Sequence, residues 1–196
     1  RLGGRDRPRD PAVAAPAMQG LINFASAIGF ALATLLPAFC YLAAIALFLF
    51  AGWGFWKQPQ PDNPFRQRPW IPALSLVLCG VFATFDKFLT KANVSAGTNL
   101  QVTLVQGLTS YTAPTPSADL LGQTPGDAIV NVVQLFQAFF QSFGAMCCFF
   151  AILAWRAVVN GQSNRGQTGC GIQFTFGVML INVLTIAQWL VNSFQT

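Results

Sequence analysis

Residues 129–196 read IVNVVQLFQAFFQSFGAMCCFFAILAWRAVVNGQSNRGQTGCGIQFTFGVMLINVLTIAQWLVNSFQT. Two long apolar runs flank one short polar stretch, the pattern of a membrane hairpin. Each run carries a stripe of carboxamides and hydroxyls: Asn131, Gln134, Gln137 and Gln141 in the first arm, Asn182, Thr185, Gln188 and Asn192 in the second. Spacings of three and four put each set near one helical face. In antiparallel arms both stripes fall at matching depth, in the half nearest the C-terminus. Polar groups in hydrocarbon cost free energy until they find partners, so these faces are expected to meet protein or water. The eight residues are therefore candidate helix–helix and oligomer contacts.

The rest of the chain agrees with a membrane class. Of 196 residues, 54% are hydrophobic and 9% charged, with no His, against about 25% charged in soluble domains. Glu is absent as well. The net charge of +5 comes from eleven Lys and Arg confined almost wholly to tails and loops, where they set orientation rather than bind nucleic acid. The chain opens on Arg1 rather than Met, which leads to the expectation of a removed leader or a start further upstream. Cys40, Cys79, Cys147 and Cys148 lie inside apolar runs, and Cys170 sits at the end of a loop. Buried thiols of this kind act as small hydrophobes. A quinone-linked thiol oxidase would need cysteine pairs in an outer loop, and residues 92–128 hold none.

Along the chain, residues 1–17 are basic and Pro-rich and are expected to be extended. Met18–Trp56 is one uncharged stretch, too long for a single crossing at 1.5 Å per residue. Pro37 is expected to divide it into an interfacial or packed helix over 18–36 and a span over about 37–56. A first hairpin then covers 37–91, its loop 57–70 basic and rich in Pro, its second arm running from Trp70 to about Leu89. Residues 92–128 form a polar loop, and 129–196 the second hairpin, with arms over about 129–158 and 171–193. The fold class is all-α: a polytopic integral membrane protein with four transmembrane helices and an N-terminal interfacial or packed helix. Counting 18–36 as a fifth span is the alternative, but it needs a hairpin at LLPAFC, which has neither Gly nor a polar residue.

Lys57, Arg66, Arg68, Arg156 and Arg165 fall in or beside the first and third loops, which should therefore be cytoplasmic, leaving the 92–128 loop periplasmic. Arg156 and Arg165 are snorkelling or topology charges on the plain reading; the functional one has them hold a phospholipid headgroup or line a lumen. Gly161, Gly166, Gly169 and Gly171 suit a tight turn, since P-loop spacing is absent. Gly144, Ala145, Cys148 and Ala151 allow close helix approach on the third span. Phe136, Phe139, Phe140, Phe143, Phe149 and Phe150 are expected to face lipid or a neighbouring subunit.

From about Leu36 to Gln195 the chain resembles the IcmC/DotE family, called TraQ in conjugation systems, of type IVB secretion machinery. The likeness is carried by the span ending in Trp155–Arg156, the turn with Gly161, Gly166, Gly169 and Gly171, then Phe176–Gly177, Asn182, Thr185 and Asn192. A weaker echo covers Tyr41–Phe85. The resemblance implies a structural subunit of a secretion or conjugation apparatus in the bacterial inner membrane. Its partners would be copies of itself, other components of the machine, and phospholipid. The last hairpin also looks like two-helix pilins, which leave the membrane in an extracellular filament. The Arg- and Pro-rich head and Cys170 depart from that pattern. No catalytic residue, metal ligand or cofactor site is expected, and no sequence-specific nucleic-acid binding. A small channel or transporter component is the alternative; such proteins keep ionisable groups in mid-membrane, and only Asp86 comes close.

Overall fold

All regular structure is helical among the residues that the computed structural model describes, 11–103 and 125–194, with side chains placed for 20–103 and 126–194. The order is α1 Pro11–Lys57, α2 Trp70–Ala83, α3 Phe85–Ser95, α4 Pro125–Leu135, α5 Gln137–Val159, α6 Gln167–Ile181 and α7 Val183–Phe194. Most of the 92–128 loop, and residues 1–10 of the head, lie outside the described residues.

α1 packs on α2, α5 on α6, and α1 on α5. The two hairpins thus share one four-helix body whose connecting loops, 58–69 and 160–166, meet at one end. The core is aromatic at its centre. Phe149 of α5 is buried there, its ring 5.2 Å from Phe82, 6.1 Å from Phe85 and 6.4 Å from Phe39. Phe149 was expected on the outside; Phe143 and Phe150 of the same helix do face outward.

The small residues of α5 act as expected. A Cβ added to Gly144 would lie 2.6 Å from the Gly177 carbonyl oxygen, and one on Gly177 would lie 2.6 Å from Cys148 Sγ. α5 and α6 therefore touch backbone to backbone, with dispersion between close-packed atoms replacing side-chain interdigitation. Ala145, Cys148 and Ala151 are buried along the same helix.

Four expectations need correction. Pro37 does not divide the first stretch: α1 runs unbroken from Pro11 to Lys57, so residues 11–17 are helical rather than extended. A proline deletes one backbone hydrogen bond, and a neighbour-packed apolar helix absorbs that loss. Leu36 and Cys40 flank it fully buried, followed down one face by Ala44, Leu47 and Ala51. Secondly, the arm from Trp70 breaks at Thr84, where the axis turns by 85° into α3. Thirdly, the last arm breaks at Asn182 and turns by 76° into α7, and the preceding arm is interrupted at Phe136. Lastly, Cys170 is not a loop residue. α6 begins at Gln167 and buries it.

The three breaks share a backbone geometry, and two of them a side-chain cause. Thr84 (φ −123°, ψ 40°), Phe136 (φ −95°, ψ 5°) and Asn182 (φ −98°, ψ 17°) all lie at or beside the sparsely allowed bridge region. Thr84 Oγ1 donates to Gly80 O at 3.0 Å, and Asn182 Nδ2 donates to Val178 O at 2.9 Å. Side chains that bond the carbonyl four residues back compete with the backbone and bend helices.

Two helices are long and apolar enough to cross a membrane, Gly20–Lys57 and Gln137–Val159; the total reaches four if each bent pair counts as one span. α2 alone, at 14 residues, is about 21 Å long and α6, at 15, about 22 Å, short of the roughly 30 Å of hydrocarbon. The outer faces are apolar: Phe24, Phe30, Leu42, Phe48 and Leu49 of α1 all stand exposed. Such a surface belongs to a membrane-associated protein.

Candidate functional site

The bends gather polar side chains at the end of the body away from the two short loops. Asn182, only 3% exposed, sits at the α6–α7 break, and Asn93, fully buried, on α3. Asn182 Nδ2 donates to Asn93 Oδ1 at 3.0 Å, and Thr98 Oγ1 donates to Asn182 Oδ1 at 2.7 Å. Asn93 Nδ2 in turn donates to Leu100 O at 3.2 Å, and Thr90 Oγ1 accepts from the Val102 amide at 3.1 Å. Residues 98–102 are thereby strapped along α3 and tied across to the last hairpin. Buried amides satisfied in this way rigidify the packing around them. An open cleft of about 350 Å³ lies beside the node, lined by Thr98, Asn182, Thr185 and Trp189 among others.

Asn93 and Thr98 were not anticipated. The visible signal was Asn93 four residues after Leu89, on the face that Leu89 and Phe85 bury. What the sequence could not show is its partner, 89 positions away.

The two stripes part company. In the first arm Gln137 and Gln141 are buried and Asn131 and Gln134 half-buried, facing the body. In the second only Asn182 is buried. Thr185, Gln188 and Asn192 stand exposed on α7, which packs against α4 through the opposite face at Ala187. The structure therefore does not bring the stripes together as a depth-matched pair within one chain. It pairs Asn182 with α3 and turns the remainder of the second stripe outward.

At the opposite end Arg156, half-buried in the last turn of α5, lays its guanidinium 4.9 Å from the Phe50 ring. Arg165 is exposed in the 160–166 loop, its amide bonded to Ser163 Oγ at 3.3 Å. The two candidate headgroup arginines are therefore unequal: one is stacked on the body, the other solvated. Asp86 sits in the first turn of α3, where a helix N-terminus favours a carboxylate.

All five cysteines are free, with Cys148 Sγ 3.5 Å from the Phe174 carbonyl. Among the described residues no group of three or more His, Cys, Asp or Glu gathers as a metal site. An apolar cleft of about 270 Å³ between α3, α5 and α6 is walled by Phe88, Trp155 and Phe174. No family model, curated protein or solved structure matches the chain.

Proposed function

We propose that this protein is a structural, non-catalytic subunit of a multi-component membrane machine of the type IVB secretion or conjugation kind, to whose IcmC/DotE family its sequence bears a resemblance. In this reading α1 and α5 cross the bacterial inner membrane outright. The two bent pairs add broken spans, giving four, and α1 carries its N-terminal half as a packed extension. The last hairpin is the pilin-like part, through which copies associate.

One observation carries the proposal: Thr185, Gln188 and Asn192 form a polar row on the outward face of α7, uncovered by any described part of the chain. A row of this kind beside apolar surface is suited to another protein face. The close-packed α5–α6 pair supplies a rigid base for it. The sequence supports the absence of catalysis, since it lacks His and Glu to act as a base.

The test is the triple variant Thr185→Leu, Gln188→Leu, Asn192→Leu. At about 0.6 kcal/mol per interhelical hydrogen bond, and at most about 1.7, it should weaken self-association by about 2 kcal/mol, roughly 30-fold. Crosslinking in native membranes and a DNA-transfer or secretion assay are read in parallel. Intact assembly with blocked passage would favour the channel alternative. Normal assembly together with normal transfer would sink the proposal.

A further inference from the structure

The two short loops enclose a cleft of about 350 Å³, lined by Phe50, Gln67, Arg68, Asn160 and Gln162 among others. One water occupies about 30 Å³ of liquid volume, so there is room for a polar group of several heavy atoms. The walls are built rather than incidental. Asn63 Oδ1 accepts the Phe65 amide at 2.7 Å and Arg68 N donates to Phe65 O at 2.8 Å, closing the first loop on itself. Phe65 is buried edge-on against Phe50 and Trp53, at 5.6 and 5.5 Å. That anchor delivers Arg68 to the second loop. There Gly161 has φ +74°, and an added Cβ would stand 2.5 Å from Arg68 Nη1. The guanidinium thus lies against bare backbone.

The cleft's electrostatics are unfinished. Arg156 is held on the Phe50 ring, and its Nε is buried without a hydrogen-bond partner. Asn160 Oδ1 is likewise buried and unpartnered. Among the described residues neither Arg68 nor Arg156 has a carboxylate in ion-pair reach. Arg68 stands exposed and keeps its charge in water; the cost falls on the buried Arg156 Nε, behind the Phe50 wall, and on Asn160 Oδ1, whose residue lines the cleft. The negative end of α5 opposes an anion here. At the start of α2 the Ile71 amide already bonds Arg68 O at 3.2 Å and Pro72 has no N–H, so the attraction for an anion comes from the guanidinium rather than from that helix end.

We propose that this cleft binds a phosphate ester that also carries an O–H or N–H donor, the chemistry of a glycerophospholipid headgroup. Phosphate oxygens match the fork of Arg68, which lines the cleft, while the Arg156 charge acts from behind the Phe50 ring. The headgroup's hydroxyl or ammonium satisfies Asn160 Oδ1. Depth agrees with the assignment: Trp53, Trp56 and Trp70 stand exposed around the same end, where indole rings favour the headgroup layer. The site is independent of how α7 associates, so either can fail alone.

The experiment is native mass spectrometry of the full chain in detergent, titrated with phosphatidylglycerol, diacylglycerol and inorganic phosphate. Phosphatidylglycerol should be retained and diacylglycerol released. Arg68→Ala and Gln162→Leu should each weaken retention, Arg68→Ala by about tenfold, the size of one charge-assisted hydrogen bond. Arg66→Ala, exposed on the same loop and off the cleft, should not. Equal helix content by circular dichroism keeps a folding defect out of the comparison. Displacement by equimolar inorganic phosphate would uphold the phosphate site and move its source from bilayer to solution. Equal retention by Arg68→Ala and the unaltered chain, an equal loss in Arg66→Ala, or diacylglycerol bound as tightly would each overturn the proposal.

Discussion

At the scale of single residues, Asn182 does two jobs that a nonpolar residue could not combine. It ends α6 by bonding the Val178 carbonyl, and it joins Asn93 and Thr98 across the chain. Asn182→Leu should leave the buried Asn93 Oδ1 without its donor, costing about 1–3 kcal/mol, while Thr98 keeps its bond to the Asn93 carbonyl at 3.0 Å. Asn93→Leu should cost a similar amount. The double variant should cost clearly less than the sum, because each change alone strands the other's amide. Unfolding in mixed micelles, read as a double-mutant cycle, measures this. Additive losses would mean that the two amides do not depend on each other.

At the scale of elements, the surprise is how the helices break. α1 ignores Pro37, whereas three helices stop at Thr84, Phe136 and Asn182. Pro37→Ala should restore one backbone hydrogen bond in an already continuous helix. The expected gain is about 1–3 kcal/mol, with unchanged helix content by circular dichroism. A marked loss of stability would show instead that the proline is needed where it stands. The pairing of α5 with α6 was legible, because Gly144, Ala145, Cys148 and Ala151 stand on one helical face and small side chains have one obvious use there. The buried face of α1 was not. Leu36, Cys40, Ala44 and Leu47 are flanked by residues equally apolar, so no contrast marks the face that packs. The bends were illegible for another reason: hydropathy adds along the chain, but the Asn182 bend is held by a residue of α3. The outward turn of Thr185, Gln188 and Asn192 follows from that bend and could not be read without it.

For the molecule as a whole, both short loops lie at one end, with Lys57, Arg66, Arg68 and Arg165 in or beside them. That grouping predicts a cytoplasmic face there and an external one at the strap of residues 96–103. In a Cys-free background, Asn63→Cys should react with an impermeant maleimide only after permeabilisation, and Ser95→Cys in intact cells. The opposite labelling would invert the topology. The right-angled turns of α3 and α7 have a further consequence for the sheet of lipid around them. A helix standing upright displaces little more than its own 10–12 Å cross-section, whereas one lying flat displaces its length. In the proposed topology α2 and α6 carry most of each broken span and α3 and α7 turn across its outer end, so the protein would take up more area in that leaflet than in the other, as a wedge does. Crowded copies should therefore bow the bilayer outward on that side. Reconstituted vesicles should shrink as protein is added, and a diameter independent of protein content would show that lipid packing evens out the difference.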